Sequence, residues 1–296
     1  MKPAPFEYVA PQSMAETLEV LAEHGGEAKL LAGGQSLIPV MNFRLAQPAV
    51  LVDLNNVPGL DGIEPTPDGG IRVGAMCRVG RIERDPEIAS RVPLLAEAVP
   101  FIAHPQIRNR GTVGGSLAHA DPAAELPTVA TALRARLRLM GRTGERWVEA
   151  GEFFTGLFST LLQPEEILVE LELPVSPPRT GWAFKEVSRR HGDYAHVGVA
   201  AMVSLAEDGS CSEARLVYLS VGDAPVEARR AALLMPGETL TPDLLEAVAE
   251  KVVAEEIEPS GDIHASADFK SHLARVLTQR ALVEAAARAT GAGKGD

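Results

Sequence analysis

Two glycine doublets stand out in this sequence because each interrupts apolar chain and has a serine close behind it. The first is Gly33-Gly34-Gln35-Ser36, and the second is Thr112-Val113-Gly114-Gly115-Ser116. Glycine tolerates positive φ and has no Cβ, so successive main-chain N–H groups can face one point and form a concave anion site. The hydroxyls of Ser36, Thr112 and Ser116 can add donors. The two motifs predict a pair of loops that grip a diphosphate.

The same motifs do not match the common nucleotide-binding signatures. Neither reads G-x-G-x-x-G or G-x-x-x-x-G-K-[ST], so neither a Rossmann dinucleotide site nor a P-loop is expected. Because the chain is acidic overall, a bound phosphate must be held locally, and Lys29, just before the first motif, can contribute a cation. Taken singly, each doublet also fits an ordinary glycine-rich turn, and that alternative stays open.

Composition limits the partners and the metal chemistry of this chain. Its 296 residues carry a formal net charge of −12, which repels phosphate backbones and anionic lipid, so nucleic acid and membrane surfaces are not expected as partners. The two cysteines, Cys77 and Cys211, are too few for an iron–sulfur cluster, which needs about four thiolates, or for a cysteine-type zinc site. The seven histidines do not cluster at ligand spacing. We therefore expect no metal on this chain.

The compartment follows from the same features. The start, MKPAPFEYVAPQS, lacks the apolar stretch of a signal peptide, and no run reaches the roughly 18–20 apolar residues that span a bilayer. Two cysteines without C-x-x-C spacing fit a reducing compartment. These features predict a soluble, cytoplasmic protein, and its length predicts two domains.

The first glycine motif is predicted to lie in a small strand–helix–strand unit over residues 1–56. Ser13-Met14-Ala15-Glu16 has the form of a capping box and opens a helix that Gly25-Gly26 ends. Apolar runs at 30–32 and 50–54 have the length of short buried strands. The first motif therefore follows directly on a buried run.

The second motif is predicted to lie among mixed helices and strands. Residues 57–70, rich in Pro, Gly and Asp, indicate a linker or long turn. Asp121-Pro122 resembles an N-cap with Pro at the first helical position and predicts a helix toward Leu133. The other predicted elements are a strand at 71–76, helices near 81–90 and 93–103, and strands at 134–140 and 166–173.

The character of the sequence changes after Val175-Ser176-Pro177-Pro178, which we predict as a domain boundary. Three strand candidates at 182–190, 197–206 and 213–221 form an antiparallel meander, with a hairpin turn at 207–210. Helices are predicted from Thr241-Pro242 and from Ser266 to about Ala289, the second with an apolar stripe of Leu273, Val276, Leu277 and Leu282.

The two glycine motifs, in this order and spacing, closely resemble those of one flavoprotein family. AGGQSLIPVMNFRLAQP at 32–48 and RNRGTVGGSLAHADPAAELP at 108–127 are similar to the FAD-binding medium subunit of the molybdenum hydroxylases. That family includes xanthine dehydrogenase, carbon monoxide dehydrogenase and N-heterocycle dehydrogenases. The resemblance covers nearly the whole chain and extends through residues 160–167 and 189–195.

This resemblance implies an α+β fold in two parts. The first is a two-lobed FAD-binding domain of the vanillyl-alcohol-oxidase and MurB (PCMH) type over 1–176, with lobes about 1–56 and 57–176. The second, over 177–290, is a C-terminal domain in which the meander gives a three-stranded antiparallel sheet that carries helices. Residues 291–296, which include GAGKGD, are expected to form a flexible tail.

The resemblance also implies which residues hold FAD. Both motifs would wrap its diphosphate, and Lys29 would lie beside them. Asp121 would hydrogen-bond a polar part of the cofactor, while Leu162 and the strand of Lys185 would border the flavin ring. The implied set is Lys29, Ala32, Gly33, Gly34, Gln35, Ser36, Leu37, Thr112, Val113, Gly114, Gly115, Ser116, Ala120, Asp121, Leu162 and Lys185.

Several residues near the second motif keep open roles. Asp121 could equally serve only as the cap of the next helix. His119 could contact the ring or link to it covalently, but this family holds FAD non-covalently, and a loop histidine without chemistry is the alternative. The resemblance places the loop of Asp193 and Tyr194 near the ring or its access path, although Tyr194 alone also fits plain packing.

The implied function is that of an oxidoreductase subunit that carries FAD and transfers electrons. Substrate would be oxidised at molybdopterin on a large subunit, and electrons would pass through 2Fe-2S clusters on a small subunit to FAD here and on to a terminal acceptor. The low cysteine count fits clusters on another chain. The expected assembly is a dimer of heterotrimers, docked through an exposed apolar patch. No catalytic acid or base is expected on this chain.

Two other functions and the identity of the substrate remain open. A self-sufficient flavin oxidase or reductase of the same fold would need acid and base groups in a substrate pocket. A nucleotide-binding or assembly module that has lost flavin would not need intact glycine motifs. Carbon monoxide members usually carry His where this chain has Gln35, so the first motif is more similar to purine, nicotine or quinoline-type members. The substrate itself is chosen on another polypeptide.

Overall fold

The computed structural model describes residues 1–291; of the predicted tail at 291–296, residues 292–296 lie outside the described part. The described residues form an α+β structure built around three main sheets and one small hairpin. The strands are β1 Glu7–Val9, β2 Ala28–Leu31, β3 Val50–Asp53, β4 Ile63–Pro65, β5 Ile71–Gly74, β6 Arg136–Gly141, β7 Gly144–Glu149, β8 Phe154–Gly156, β9 Ser159–Thr160, β10 Ile167–Leu173, β11 Thr180–Ser188, β12 Ala195–Leu205, β13 Cys211–Leu219 and β14 Val226–Glu227. The helices are α1 Met14–His24, α2 Leu37–Asn42, α3 Val79–Ile82, α4 Pro86–Arg91, α5 Pro93–Ala98, α6 Pro105–Arg108, α7 Val113–His119, α8 Glu125–Ala132, α9 Ala150–Phe153, α10 Arg229–Ala232, α11 Pro242–Glu255 and α12 Ala267–Ala289.

The first sheet is parallel, with strand order β1-β3-β2, and its strands β2 and β3 together with helix α1 agree with the elements predicted for residues 1–56. Ser13 caps α1, since its hydroxyl accepts from Glu16 N at 3.2 Å. The Glu16 carboxylate accepts from Gln12 N rather than from Ser13 N, so the reciprocal half of the capping box is displaced by one residue. The prediction missed β1 and the short helix α2, because three to six residues give too little periodicity to detect.

The second sheet is antiparallel, with strand order β4-β5-β10-β6-β7. Its inner face and helices α4, α5, α7 and α8 enclose the largest apolar core, which includes the fully buried Ile71, Leu137 and Leu117. The segment 57–70 is not only a turn, as predicted, because it contains β4. Three residues bounded by Gly and Pro are too few to show alternation in the sequence.

The third sheet is antiparallel, with strand order β11-β12-β13-β14. The three long strands agree with the predicted meander, and the two-residue β14 adds a short edge. Helices α11 and α12 cover one face, and α8 with its neighbours covers the other. The N-caps Thr241 and Ser266 confirm the predicted starts of both long helices.

Helix α12 lies unusually close to the third sheet. A Cβ on Gly181 of β11 would overlap Ala285 O and would lie 2.5 Å from Ala289 N. The buried face of the helix is accordingly rich in alanine, whereas Leu273 and Val276 of the predicted stripe are only partly buried. Leu277 and Leu282 are buried as predicted. Close approach selects small side chains, so a stripe of large residues was the wrong criterion for this face.

Two predictions around the second glycine motif are wrong. The motif is not an open loop, because Thr112 caps α7 and both glycines lie in the first turn of that helix. The next helix, α8, begins at Glu125 rather than at Asp121-Pro122. The Asp121 carboxylate instead accepts from Ala123 N at 2.9 Å and closes a local turn, an arrangement that competes with helix capping for Asp side chains.

Each helix within residues 1–291 is too short or too polar to cross a lipid bilayer.

Candidate functional site

The fold brings the two glycine motifs into contact. Gly33 has no room for a side chain, because a Cβ there would overlap Arg110 O and lie 2.7 Å from the Cα of Gly111. A Cβ on Gly115 would lie 3.4 Å from the Cβ of Ala32. The strand β2 delivers the first motif and the segment after α6 delivers the second, so the site is formed where the first and second sheets meet.

The first motif presents a run of free main-chain donors. Within residues 1–291, no group accepts a hydrogen bond from the N–H groups of residues 33–37. The loop that carries them is fixed: Gly34 has φ of 72°, Ile38 N donates to Gly34 O at 3.1 Å, and Gln35 Nε2 donates to Gly33 O at 3.1 Å. Consecutive free N–H groups around a left-handed residue form the concavity that binds anions.

The second motif uses its amides for the fold rather than for a ligand. Val113 N donates to Cys77 O at 3.0 Å, Gly114 N donates to Ala75 O at 2.8 Å, and Gly115 N donates to the Thr112 hydroxyl at 3.1 Å. The expectation that both doublets offer free amides is therefore wrong for the second. Within the described chain, the Ser116 hydroxyl makes no hydrogen bond, and it remains this motif's donor.

The glycines of the second motif serve close packing. A Cβ on Gly114 would overlap the Cβ of Ala75 and lie 2.9 Å from its Cα. This contact lays the first turn of α7 directly against the end of β5. The close approach is what carries Ser116 and Gly115 to the first motif.

His119, Lys29 and Asp121 lie together at the end of α7. Burial, and to a lesser degree the charge of Lys29, lowers the pKa of His119, while Asp121 opposes the shift. The imidazole therefore loses its proton more readily than an ordinary histidine does. It packs against the ring of Phe158, on the β8–β9 hairpin, with 5.0 Å between ring centroids. Ala120 ends the helix in the left-handed conformation, with φ of 50°.

A buried carboxyl pair lies beside this cluster, where α8 meets β11. Burial raises the pKa of Glu125 to about 7. Burial, and then the charge of Glu125, raises the pKa of Glu186 to about 8. Within residues 1–291, Oε2 of Glu186 has no hydrogen-bond partner. Both groups carry a proton far more readily at pH 7 than an ordinary glutamate does.

Tyr194 connects the carboxyl cluster to the surface. Its residue is 71% exposed. Partial loss of solvent, and then the charges of Asp121, Glu125 and Asp193, raise the pKa of Tyr194. Asp193 accepts from Arg189 Nε at 3.0 Å and from Tyr194 N at 3.0 Å, so the loop that carries the tyrosine is fixed by its own side chains.

The structure does not bring Lys185 to the glycine motifs through its side chain. Lys185 pairs with Glu284 of α12, on the face that Ala183 shares. Successive strand residues point to opposite faces, so Trp182, Phe184 and Glu186 lie on the other face of β11, which packs against the largest core. Leu162 packs partly buried against the largest core, just after the β8–β9 hairpin.

Sequence reasoning missed Glu125, Glu186, Asn55 and Arg78. The signal for Glu186 was present, because alternation through Trp182, Phe184 and Glu186 puts a carboxyl on an apolar face. Asn55 and Arg78 had no signal, since both lie in short connections and contact the motifs only through tertiary structure.

Comparison with known proteins defines the class. The family model described as the FAD binding domain in molybdopterin dehydrogenase matches residues 4–176, and the CO dehydrogenase flavoprotein C-terminal domain matches residues 182–285. The chain belongs to the FAD-binding medium subunits of the molybdenum hydroxylases, and it is an oxidoreductase subunit of that family.

Individual relatives agree over nearly the full length. The 6-hydroxypseudooxynicotine dehydrogenase complex subunit alpha of Paenarthrobacter nicotinovorans is 42% identical over 98% of this chain and 97% of its own. The carbon monoxide dehydrogenase structure from Hydrogenophaga pseudoflava matches with a TM-score of 0.94 and 39% identity, covering 97% of this chain and 99% of its own. The quinoline 2-oxidoreductase structure from Pseudomonas putida 86 matches with a TM-score of 0.92 and 40% identity, covering 98% and 99%.

These relatives bear on the two other functions and on the substrate. The first is named as one subunit of a dehydrogenase complex, and a Hydrogenophaga pseudoflava relative is named as a carbon monoxide dehydrogenase medium chain, so the self-sufficient oxidase is not favoured. The three proteins are named for different substrates, while their sequence identity to this chain stays between 39% and 42%. Overall similarity in this subunit therefore does not single out a substrate.

The residues present fit FAD. The free N–H groups of residues 33–37 suit the two phosphates, because an acidic chain must hold them with local donors. Side chains are excluded at Gly33, where the two motifs meet. Within residues 1–291, no group of three or more His, Cys, Asp or Glu residues could hold a metal ion.

Proposed function

We propose that the two glycine motifs hold the diphosphate of FAD and that the bound flavin relays electrons between a partner subunit and a terminal acceptor. The observation that carries this proposal is the meeting of Gly33 with Arg110 and Gly111, beside the free N–H groups of residues 33–37. The flavin, when bound, accepts electrons singly and releases them in pairs. The chain's own residues bind and orient it.

The proposed roles follow from placement. The N–H groups of residues 33–37 and the Ser116 hydroxyl donate to the diphosphate, and Lys29 lies beside it as a cation. Asp121 forms a hydrogen bond with a polar part of the cofactor, although its carboxylate already accepts a hydrogen bond from Ala123 N. Leu162 borders the ring, and Lys185 contributes through its strand rather than through its paired ammonium. Tyr194, as an exposed aromatic, borders the access path.

The proposed assembly places the other redox centres on partners. A small subunit supplies 2Fe-2S clusters, a large one supplies molybdopterin, and two such heterotrimers pair in the cytoplasm. The cysteines of this chain support that division, because Cys77 and Cys211 are both buried and burial raises the pKa of the Cys77 thiol to about 11. A protonated buried thiol is a poor metal ligand.

The proposed domains are the FAD-binding domain over 1–176, with lobes about 1–56 and 57–176, and the C-terminal domain over 177–290. The two matched segments, 4–176 and 182–285, support this division. The C-terminal domain supplies Glu186 and Tyr194 to the surroundings of the second motif, so it contributes to the site rather than only to assembly.

Gly33→Ala tests the proposal. The added methyl must displace Arg110 or Gly111, so the purified complex should retain less than about a tenth of its FAD, as expected for a Cβ forced into backbone at a cofactor seat. Gly151→Ala is the matched control, because a Cβ there meets no atom within 4 Å. FAD content per chain is measured by absorbance after denaturation. Full FAD content in Gly33→Ala would refute the proposed seat.

A further inference from the structure

Two side chains outside the glycine motifs form hydrogen bonds with main-chain carbonyls that flank those motifs. Asn55 Nδ2 donates to Ala32 O at 3.1 Å. Arg78 Nη1 donates to Arg110 O at 2.5 Å, and Arg78 Nη2 donates to Asn55 Oδ1 at 2.5 Å. A continuous chain of hydrogen bonds therefore runs from the first motif to the residue that precedes Gly111. We call these two side chains the Asn55–Arg78 bridge.

The bridge is fixed from both ends. The Asp53 carboxylate accepts from Asn55 N at 2.9 Å and also from the Tyr8 hydroxyl, and this second hydrogen bond raises the pKa of Tyr8. The main chain of Arg78 forms an isolated antiparallel bridge with Thr112, the cap of α7. The main chain of Arg78 therefore lies beside the second motif. Its guanidinium is linked to the first motif through the side chain of Asn55. Because other contacts already restrain Asn55 and Arg78, their hydrogen bonds fix the positions of the carbonyls that they bind.

The bridge acts at the point where Gly33 meets Arg110. Ala32 O, which Asn55 holds, belongs to the peptide group whose N–H is that of Gly33, the first free donor of the motif. Arg110 O, which Arg78 holds, is the atom that a side chain on Gly33 would strike. The bridge therefore sets the orientation of that peptide group and the distance between the two motifs.

We propose that Asn55 and Arg78 are positioning residues that fix the cleft between the two glycine motifs and so determine the affinity for the FAD diphosphate. This inference rests on the proposed seat of FAD. Neither side chain is required to touch the cofactor. Their contribution is to hold the free N–H groups in one arrangement before the cofactor arrives, which lowers the entropic cost of binding.

The test measures FAD affinity of the full chain after removal of bound flavin, by titration with FAD and quenching of flavin fluorescence. Arg78→Met and Asn55→Ala should each raise the dissociation constant about 10- to 100-fold, as expected for loss of hydrogen bonds that involve a charged group. Arg78→Lys should give a smaller increase, because an ammonium can keep one of the two bonds. Arg81→Met is the matched control, since within residues 1–291 the Arg81 side chain donates only to Asp61 O and to neither motif.

Two further readouts separate positioning from a general loss of structure. The double variant should bind FAD no more than about threefold more weakly than the worse single variant, because both changes break one chain of hydrogen bonds. The midpoint potential of the bound flavin should stay at the wild-type value, since the bridge contacts only the main chain of the motifs. Additive losses, a shifted potential, or an equal loss in Arg81→Met would overturn the inference.

The outcomes also separate this inference from the proposed function. If the wild-type chain binds FAD and the bridge variants bind it equally well, the bridge has no positioning role and the proposed seat stands. If the wild-type chain takes up no FAD, the proposed seat itself fails. Should Arg78→Met not fold, Arg78→Lys and Asn55→Ala give the same comparison, with unchanged affinity in both counting against the inference.

Discussion

The glycines of the two motifs have different structural roles. Gly33 excludes a side chain where the two motifs touch, whereas Gly114 lets a helix lie on a strand. The free N–H groups belong to the first motif, whereas the N–H groups of the second motif donate hydrogen bonds to Ala75, Cys77 and Thr112. A diphosphate site at this place therefore depends on one anion concavity and on one helix that supplies a hydroxyl.

Glu186 gives the residue-scale prediction, through the pH dependence of stability. Burial first, then Glu125, raises its pKa to about 8 from an unfolded-chain value of 4.5. The folded chain thus keeps a proton that the unfolded chain loses, so the contribution of Glu186 to the free energy of unfolding is fully present below pH 4.5 and is lost by about pH 8. Glu186→Gln cannot ionise and should be more stable than wild type by about 1–3 kcal/mol at pH 9.

Urea unfolding of the full chain at pH 5, 7 and 9 measures this difference. Glu125 of α8, whose charge acts on Glu186, remains in the variant, so part of the slope should persist. Glu64→Gln, on the exposed face of β4, is the control and should follow wild type. If the free energy of unfolding changes with pH in parallel for Glu186→Gln and wild type, the carboxyl of Glu186 is not protonated in the folded state.

Helix α12 illustrates how one contact between elements determines which residues form a buried face. The helix covers β11 and β12 with alanines because the backbone of Gly181 comes against its main chain. Lys270, near the start of the helix, is buried but paired with Asp262 at 2.8 Å. The helix is therefore held by close backbone approach along its length and by an ion pair at its beginning.

Gly181→Ala gives the element-scale prediction. Its methyl would overlap Ala285 O, which belongs to the helix backbone and cannot rotate away, so the variant should lose about 2–4 kcal/mol of stability. Gly198→Ala on β12 is the matched comparison, because the three atoms nearest to its methyl all belong to the Leu219 side chain, which can move, so the change should cost less. Chemical unfolding compares the two. A Gly198→Ala loss equal to or greater than that of Gly181→Ala would contradict this account.

At the scale of the molecule, the third sheet is joined to the helices of the second by a polar link. Glu97 of α5 accepts from Phe184 N at 2.9 Å and pairs with Arg288 of α12. Arg288 also donates to Trp182 O at 2.7 Å and lies 5.2 Å from the centroid of the Trp182 ring. One carboxylate thus satisfies both a strand amide and a guanidinium from different elements.

Glu97→Ala should weaken this link more than the loss of a surface ion pair would. It leaves the Phe184 amide without its acceptor and removes one partner of the Arg288 guanidinium, which keeps Trp182 O and Glu284, so we expect a loss of about 1–3 kcal/mol. Glu87→Ala removes an exposed i,i+4 pair with Arg91 and should cost less than about 1 kcal/mol. Calorimetry of the full chain measures both, and a single unshifted transition in Glu97→Ala would argue against the link.

Much of the molecule could be inferred from local sequence. Caps at Ser13, Thr241 and Ser266 placed three helix starts correctly, because a cap is a contact within four residues. The long strands of the third sheet were equally visible. Asp121 shows the limit of such rules, since its local hydrogen bond closes a turn instead of starting the helix.

The sequence was sufficient for the class of protein, the pair of glycine motifs and the long helices and strands, because each of these depends on residues that are near neighbours in the chain. The sequence did not show which main-chain amides stay free or which face of β11 packs against the largest core. It also did not show how Asn55 and Arg78 connect the two motifs. These features depend on contacts between segments far apart in sequence. A hydrogen-bond donor is available to a ligand only if no distant carbonyl accepts from it, and the folded chain determines which carbonyls come within reach.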